Sequence, residues 1–183
     1  MTGGVPDRSP SSTLPDGTVS LPLRRAGYLA TTVLLTAIMV AAVLDATGTT
    51  ALMGVHSEVV RDNGGGVELA VTYADASRPA LATPFDIEVR TPGGFDEPVR
   101  IAVDREYLRM WDENGLSPAP SAEIGMGPWI VWEFDPPIGD TLLITYDARI
   151  EPASQDGRSG AVAVLDGDDS IVAQVSFTTR VLP

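Results

Sequence analysis

His56 is the single histidine of this 183-residue chain, and it lies beside Ser57 and Glu58. As a catalytic base, His56 would need a nucleophile and an orienting acid close to it. The pattern Gly-x-Ser-x-Gly, which presents a serine nucleophile on a strained turn, does not occur in the sequence. We therefore interpret His56 as a strand-surface residue rather than a catalytic base.

An acidic cluster, Asp166-Gly167-Asp168-Asp169-Ser170, has the oxygen-rich chemistry that calcium prefers. The spacing of an EF-hand is not met, because Ile171 stands where that loop needs glycine. A solvated hairpin turn is the favoured interpretation, and Asp166, Asp168 and Asp169 are kept only as weak candidates for a metal. We predict no cofactor.

Two pairs of adjacent acids, Asp96–Glu97 and Asp112–Glu113, hold the carboxylates that glycoside hydrolysis requires. Adjacent acids on turns are directed into water, and nothing in the sequence marks one of them as buried. A carboxylate-based hydrolase is therefore a second alternative, and we predict that the protein is not an enzyme.

Aromatic residues are concentrated between positions 129 and 134. Trp132 lies on an alternating strand and is predicted to be part of the core, whereas Trp129 faces the opposite side. Gly125-Met126-Gly127-Pro128 precedes Trp129 and provides an exposed lead-in. Met126 and Trp129 are thus the predicted partner-contact residues.

Composition excludes several classes of site. The chain has no cysteine, which excludes disulfides and thiolate metal sites. All 12 basic residues are arginine, so lysine Schiff-base chemistry is absent as well. The net charge of −13 makes a nucleic-acid partner improbable.

These residues follow an uncharged stretch of 19 residues from Ala26 to Leu44. As a helix it would be about 28 Å long, close to the hydrocarbon thickness of a bilayer. Arg24 and Arg25 precede this stretch and Asp45 follows it. The positive-inside rule then places the amino terminus in the cytoplasm and the later residues outside. A cleaved signal peptide is the alternative, but Leu and Asp at positions 44 and 45 fit its small-residue cleavage site poorly.

The rest of the chain shows short alternating runs separated by Gly, Pro, Asn and Asp. Asn63-Gly64 predicts a hairpin between two of these runs. One short helix is predicted from Arg105 to Trp111, with Asp104 as its cap. The fold class is mainly β: one N-terminal transmembrane helix followed by an immunoglobulin-like antiparallel β-sandwich of seven to eight strands.

The predicted organisation has four parts. They are a disordered cytoplasmic tail (1–25), a transmembrane helix (26–45), a linker (46–52) and an extracytoplasmic β-sandwich (53–183). The protein would therefore be a single-pass protein of the cell membrane.

Several phrases of the outer domain resemble a family of uncharacterised single-span membrane proteins of actinobacteria. The phrases are Arg78-Pro79, Thr83-Pro84-Phe85, Pro128–Pro137, Asp147–Ala153 and Thr178–Pro183. The resemblance implies a short tail, one span and an outer sandwich, with YetF-like multi-span membrane proteins as possible neighbours. It implies no activity and no site residues.

We expect a membrane-anchored interaction module that is accessory to another membrane or envelope protein and performs no catalysis. Its contacts would be the lipid bilayer, through one helix, and that protein partner. A ligand- or calcium-binding sensor domain is the first alternative.

Overall fold

The computed structural model describes residues 21–46, 55–154 and 156–182. The chain divides into two compact units, Met1–Val43 and Leu44–Pro183. Most of the predicted tail (residues 1–20) and most of the predicted linker (residues 47–52) lie outside the described residues.

Most of the helix α1, Leu21–Ala46, belongs to the first unit, and the helix begins five residues before the predicted boundary at residue 26. Ala26–Val43 has a mean hydropathy of 2.0, and none of this segment is buried. The hydroxyls of Thr31 and Thr32 donate to the carbonyls of Gly27 and Tyr28, at 3.0 and 2.8 Å, so they are satisfied within the helix. The helix is therefore long and apolar enough to cross a membrane.

The second unit is built mainly of strands. They are β1 (His56–Gly64), β2 (Val67–Ser77), β3 (Phe85–Arg90), β4 (Val99–Asp104), β5 (Trp111–Ser117), β6 (Ala122–Met126), β7 (Trp129–Phe134), β8 (Thr141–Ile150), β9 (Arg158–Leu165) and β10 (Ile171–Val181). A short helix, α2 (Arg105–Leu108), lies between β4 and β5.

The strands form one curled mixed sheet in the order β5-β8-β3-β2-β10-β9-β4-β7-β6, and β1 pairs with β2. Most neighbouring strands are antiparallel, but β2 and β10 are parallel where Arg180 faces Ala76 and Val181 faces Ser77. The prediction of a mainly β unit after an apolar helix is confirmed. The ten described strands exceed the predicted seven to eight, and the parallel pair departs from a purely antiparallel arrangement.

The core lies between the two halves of the curled sheet. Phe177 of β10 contacts Tyr73 of β2 and Phe85 of β3, with ring centroids 4.8 and 5.8 Å apart. On the other side, Trp132 of β7 stacks on Tyr146 of β8 at 5.8 Å, which confirms Trp132 as a core residue. Buried and exposed residues alternate along β3 and β8, so one face of each strand points into the core, as the sequence pattern predicts.

Two local predictions differ from the structure. The helix predicted over Arg105–Trp111 ends at Leu108, because Trp111 belongs to β5, where it is buried and pairs with Ile150 of β8. Asp104 caps α2, as predicted. The turn of the β1–β2 hairpin is Gly65-Gly66, with φ values of 56° and 80°, two residues beyond the predicted Asn63-Gly64.

Candidate functional site

The β6–β7 hairpin carries both predicted contact residues. Met126 ends β6, Trp129 begins β7, and the two residues pair directly across the turn. Gly127 makes this turn possible because its φ is 56°, which side chains disfavour. The structure therefore places Met126 and Trp129 side by side.

Both side chains are half-buried rather than freely exposed. They pack against a small second apolar cluster, on the face of β4, β7 and β9 that points away from the main core; its members are Ala102, Val131, Ala163 and Leu165. Ile124 of β6 lies opposite Val131 and is 46% exposed. We call the surface formed by Ile124, Met126 and Trp129 the hairpin face.

Charged residues border the hairpin face. The guanidinium of Arg105 donates to the Trp129 carbonyl at 3.4 Å. Arg100 lies on the same outer side of β4 and pairs with Asp169 at 2.5 Å and with Glu133 at 3.8 Å. An apolar surface with a charged border has the composition of many protein contact sites.

β6 is at one end of the strand order and, among the described strands, hydrogen-bonds only with β7. Its second backbone edge therefore lies open beside the hairpin face. Open edges invite pairing with another strand, and native proteins limit this by short length and by charges. β6 has only five residues, and it carries a charge at Glu123, whose exposed carboxylate accepts a hydrogen bond from the Trp132 indole at 3.1 Å.

The acidic segment 166–170 forms a hairpin turn between β9 and β10. The Asp166 carboxylate accepts hydrogen bonds from the backbone N–H groups of Asp168 and Ser170, at 2.9 and 2.8 Å. Asp169 is paired with Arg100. The carboxylates of Asp166 and Asp169 are thus already bound by N–H groups, so the geometry favours a hairpin turn over a metal site. Calcium binding by Asp166, Asp168 and Asp169 stays a prediction.

The two acid pairs considered for hydrolysis lie in different surroundings. Asp112 accepts two hydrogen bonds from the Arg149 guanidinium, at 2.6 and 2.7 Å, while Glu113 lies 3.5 Å from the Tyr146 hydroxyl. Asp96 and Glu97 are both exposed on the loop before β4. Neither pair is enclosed in a manner that favours acid–base chemistry.

From the sequence, His56 and Glu58 are named, but the residue that completes their group, Asp75, is missed. His56 and Glu58 of β1 meet Asp75 of β2, and one ligand atom from each lies within 4.8 Å of the other two. His56 Nδ1 contacts Asp75 Oδ1 directly. The side chains of His56 and Asp75 are 27% and 14% exposed, so the group is accessible but partly shielded.

Two further residues hold these carboxylates. The Tyr73 hydroxyl donates to Glu58 at 3.2 Å, and the Arg180 guanidinium donates to Asp75 Oδ2 at 2.9 Å. Burial, followed by the hydrogen bond to Glu58, raises the pKa of Tyr73 above its ordinary value, so Tyr73 remains a donor. His56 thus has an orienting acid, but the neighbouring Ser57 lies at an exposed position on the strand.

The comparisons with known proteins give no family. No protein-family model matches this chain, and no curated protein matches it.

Proposed function

We propose that this protein is a membrane-anchored module that binds another membrane or envelope protein and performs no catalysis. The observation that carries the proposal is the hairpin face beside the open edge of β6. Both features belong to one short hairpin, so a single partner segment can contact them together.

The anchor in this proposal is α1, with the amino terminus in the cytoplasm and the β unit outside the cell membrane. The exposed apolar surface of Ala26–Val43 supports a membrane span. The arginines at positions 24 and 25 and the aspartate at position 45 support the direction through the positive-inside rule.

For the β unit, we propose an immunoglobulin-like sandwich. Support comes from ring contacts between opposite halves of the sheet and from mostly antiparallel pairing. In this class the ends and edges of the sheets present the contacts with partners.

The partner we propose is an extended, apolar segment with basic flanks, supplied by a membrane protein. Its backbone would pair with the open edge of β6, and its apolar side chains would cover the hairpin face. We propose basic flanks because they would complement the acidic β unit: residues 45–183 contain nine arginines and 23 acids, a net charge of −14. Ile124, the most exposed residue of the hairpin face, would lie at the centre of the contact.

The test uses the full-length protein in its own membranes, with light cross-linking before extraction in mild detergent. Ile124→Ser should remove the cross-linked partner, because it deletes apolar contact area without opening the core. Leu143→Ser is the matched control: Leu143 is an exposed strand residue of β8, at 55% against 46% for Ile124. The control should keep the cross-link.

Two results would contradict the proposal. One is a protein that elutes without any cross-linked membrane protein. The other is a cross-link that Ile124→Ser and Leu143→Ser reduce equally, which would place the contact away from the hairpin face.

A ligand sensor is the second candidate, and an open cleft of about 310 Å³ favours it. Apolar residues, among them Val89, Phe95 and Val164, line this cleft, and Asp96 and Asp166 lie at its border. Its size and apolar lining suit a small apolar ligand with a cationic group. A rise in Tm with such ligands, lost in Val164→Asp but kept in Ile124→Ser, would favour the sensor.

A further inference from the structure

We propose that His56, Glu58 and Asp75 form a site for one zinc-type divalent cation, independent of the hairpin face. Each residue supplies one ligand atom: an imidazole nitrogen from His56 and a carboxylate oxygen from each acid. The three atoms already lie within 4.8 Å of one another, so small side-chain rotations are enough to place all of them around one ion.

The backbone of the β1–β2 hairpin brings these residues together. Glu58 pairs directly with Tyr73, and the register shifts between Ser57 and His56, which face Ala74 and Ala76. Asp75 therefore lies between the two pairs, without a direct partner on β1. This irregularity lets Asp75 approach the imidazole of His56.

The surrounding contacts orient the two carboxylates. Arg180 binds Oδ2 of Asp75, which leaves Oδ1 directed at His56. Tyr73 binds Oε2 of Glu58, which leaves the other oxygen of that carboxylate for an ion. Ligating carboxylates in metal sites are commonly fixed in this way by outer hydrogen bonds.

Charge and ligand type select the class of ion. Two carboxylates next to one arginine leave a net negative charge, and the Arg180 side chain is 68% exposed, so solvent screens its charge. Calcium and magnesium prefer oxygen ligands alone, whereas zinc accepts a histidine nitrogen with carboxylate oxygens. Three protein ligands leave the fourth tetrahedral position to water.

The ion would have a structural effect. His56 and Glu58 belong to the first strand of the β unit, and Asp75 belongs to its neighbour, which pairs with β10 nearby. A bound cation would therefore fix the start of β1 to the joint between β2 and β10. Loss of the ion would loosen the start of β1 without affecting the hairpin face.

Zinc binding is tested with the full-length chain, purified without a polyhistidine tag, stripped with EDTA and titrated with ZnCl₂ in detergent. We expect one zinc per chain, and at least a tenfold loss of affinity in His56→Gln and in Glu58→Gln. Glu88→Gln is the matched control, because Glu88 is an exposed strand glutamate of β3. It should bind zinc as the original chain does.

Cobalt gives a readout that does not depend on the variants folding. Co²⁺ added to the stripped chain should produce the strong visible absorption of a tetrahedral site, and zinc should abolish it. No zinc uptake by the original chain, or equal uptake by His56→Gln, would overturn the proposal. A six-coordinate cobalt spectrum would do the same.

Discussion

The buried hydroxyl of Thr179 gives the sharpest test of how the two halves of the sheet are joined. Thr179 Oγ1 donates to the carbonyl of Ala74 at 2.6 Å and lies 3.0 Å from the Tyr107 hydroxyl, which donates to it in turn. These three residues are buried. Thr179→Val keeps the shape of the side chain and removes both hydrogen bonds.

The substitution leaves the Tyr107 hydroxyl and the Ala74 carbonyl without this partner in a site closed to water. An unsatisfied buried polar group costs about 1–3 kcal/mol, and we expect a loss of about 2–3 kcal/mol for the pair. In a domain of this size, 1 kcal/mol shifts Tm by about 3–5 °C, so Tm should fall by roughly 6–15 °C.

Tryptophan fluorescence is a suitable assay because all three tryptophans (111, 129 and 132) belong to the β unit. Thr178→Val is the matched control: Thr178 is the exposed neighbour of Thr179 and contacts Ser159 at 2.8 Å. Its free energy of unfolding should change by less than about 0.5 kcal/mol.

A double-mutant cycle with Tyr107→Phe separates the two hydrogen bonds. If Tyr107 and Thr179 interact, the double variant should lose about 1 kcal/mol less than the sum of the single losses. Strict additivity, or equal losses in Thr179→Val and Thr178→Val, would refute the buried network.

Three further predictions concern the same unit. Gly160→Ala should lower the free energy of unfolding by about 1–3 kcal/mol in urea titrations, because the new Cβ would lie 2.5 Å from the Tyr107 ring. Burial raises the pKa of Tyr107 and Tyr146, so the folded state keeps protons that the unfolded chain loses above about pH 10. Stability should therefore fall as pH rises above 10, and Tyr146→Phe should move the midpoint of alkaline unfolding upward, as followed by circular dichroism. Arg100→Gln should cost at most about 1 kcal/mol by breaking its pair with Asp169, and the loss should shrink in 1 M NaCl.

The strands that a sequence pattern can predict are those with one buried face. β3 and β8 alternate buried and exposed residues along their length, and this alternation is visible in the sequence. β5 and β6 are the exceptions. They lie at the two ends of the sheet, where exposure on several sides removes the alternation. In β5, Asn114-Gly115 resembles a turn, yet pairing with β8 keeps it in the strand.

The His56 group was missed because of a two-residue error in one turn. A turn at Asn63-Gly64 gives a register that separates His56 from Asp75. A turn at Gly65-Gly66 pairs Gly64 with Val67 and, counting back, brings Glu58 opposite Tyr73 and His56 close to Asp75. Glycine at both turn positions was the available signal, since each residue needs a positive φ.

Trp129 lies on the face opposite Trp132, as the alternation predicts, but it is more buried than expected, and partner contact by Met126 and Trp129 stays a prediction. Alternation in β7 put Trp129 and Trp132 on opposite faces, as the structure has them. The small residues Ala102 and Ala163 leave room for Trp129 to settle onto the outer side of the sheet. That burial depends on β4 and β9, which are distant in sequence from β7, so a local pattern cannot reveal it.

The parallel joint between β2 and β10 has a consequence for the order in which the β unit is completed. Ribosomes make β2 long before β10, so the edge that Ala76 and Ser77 present to Arg180 and Val181 stays unpaired until β10 is made. Until then β9 also lacks the neighbour that β10 provides. The nascent chain therefore has unpaired strand edges until β10 is made. Binding factors that shield such edges would act before that point.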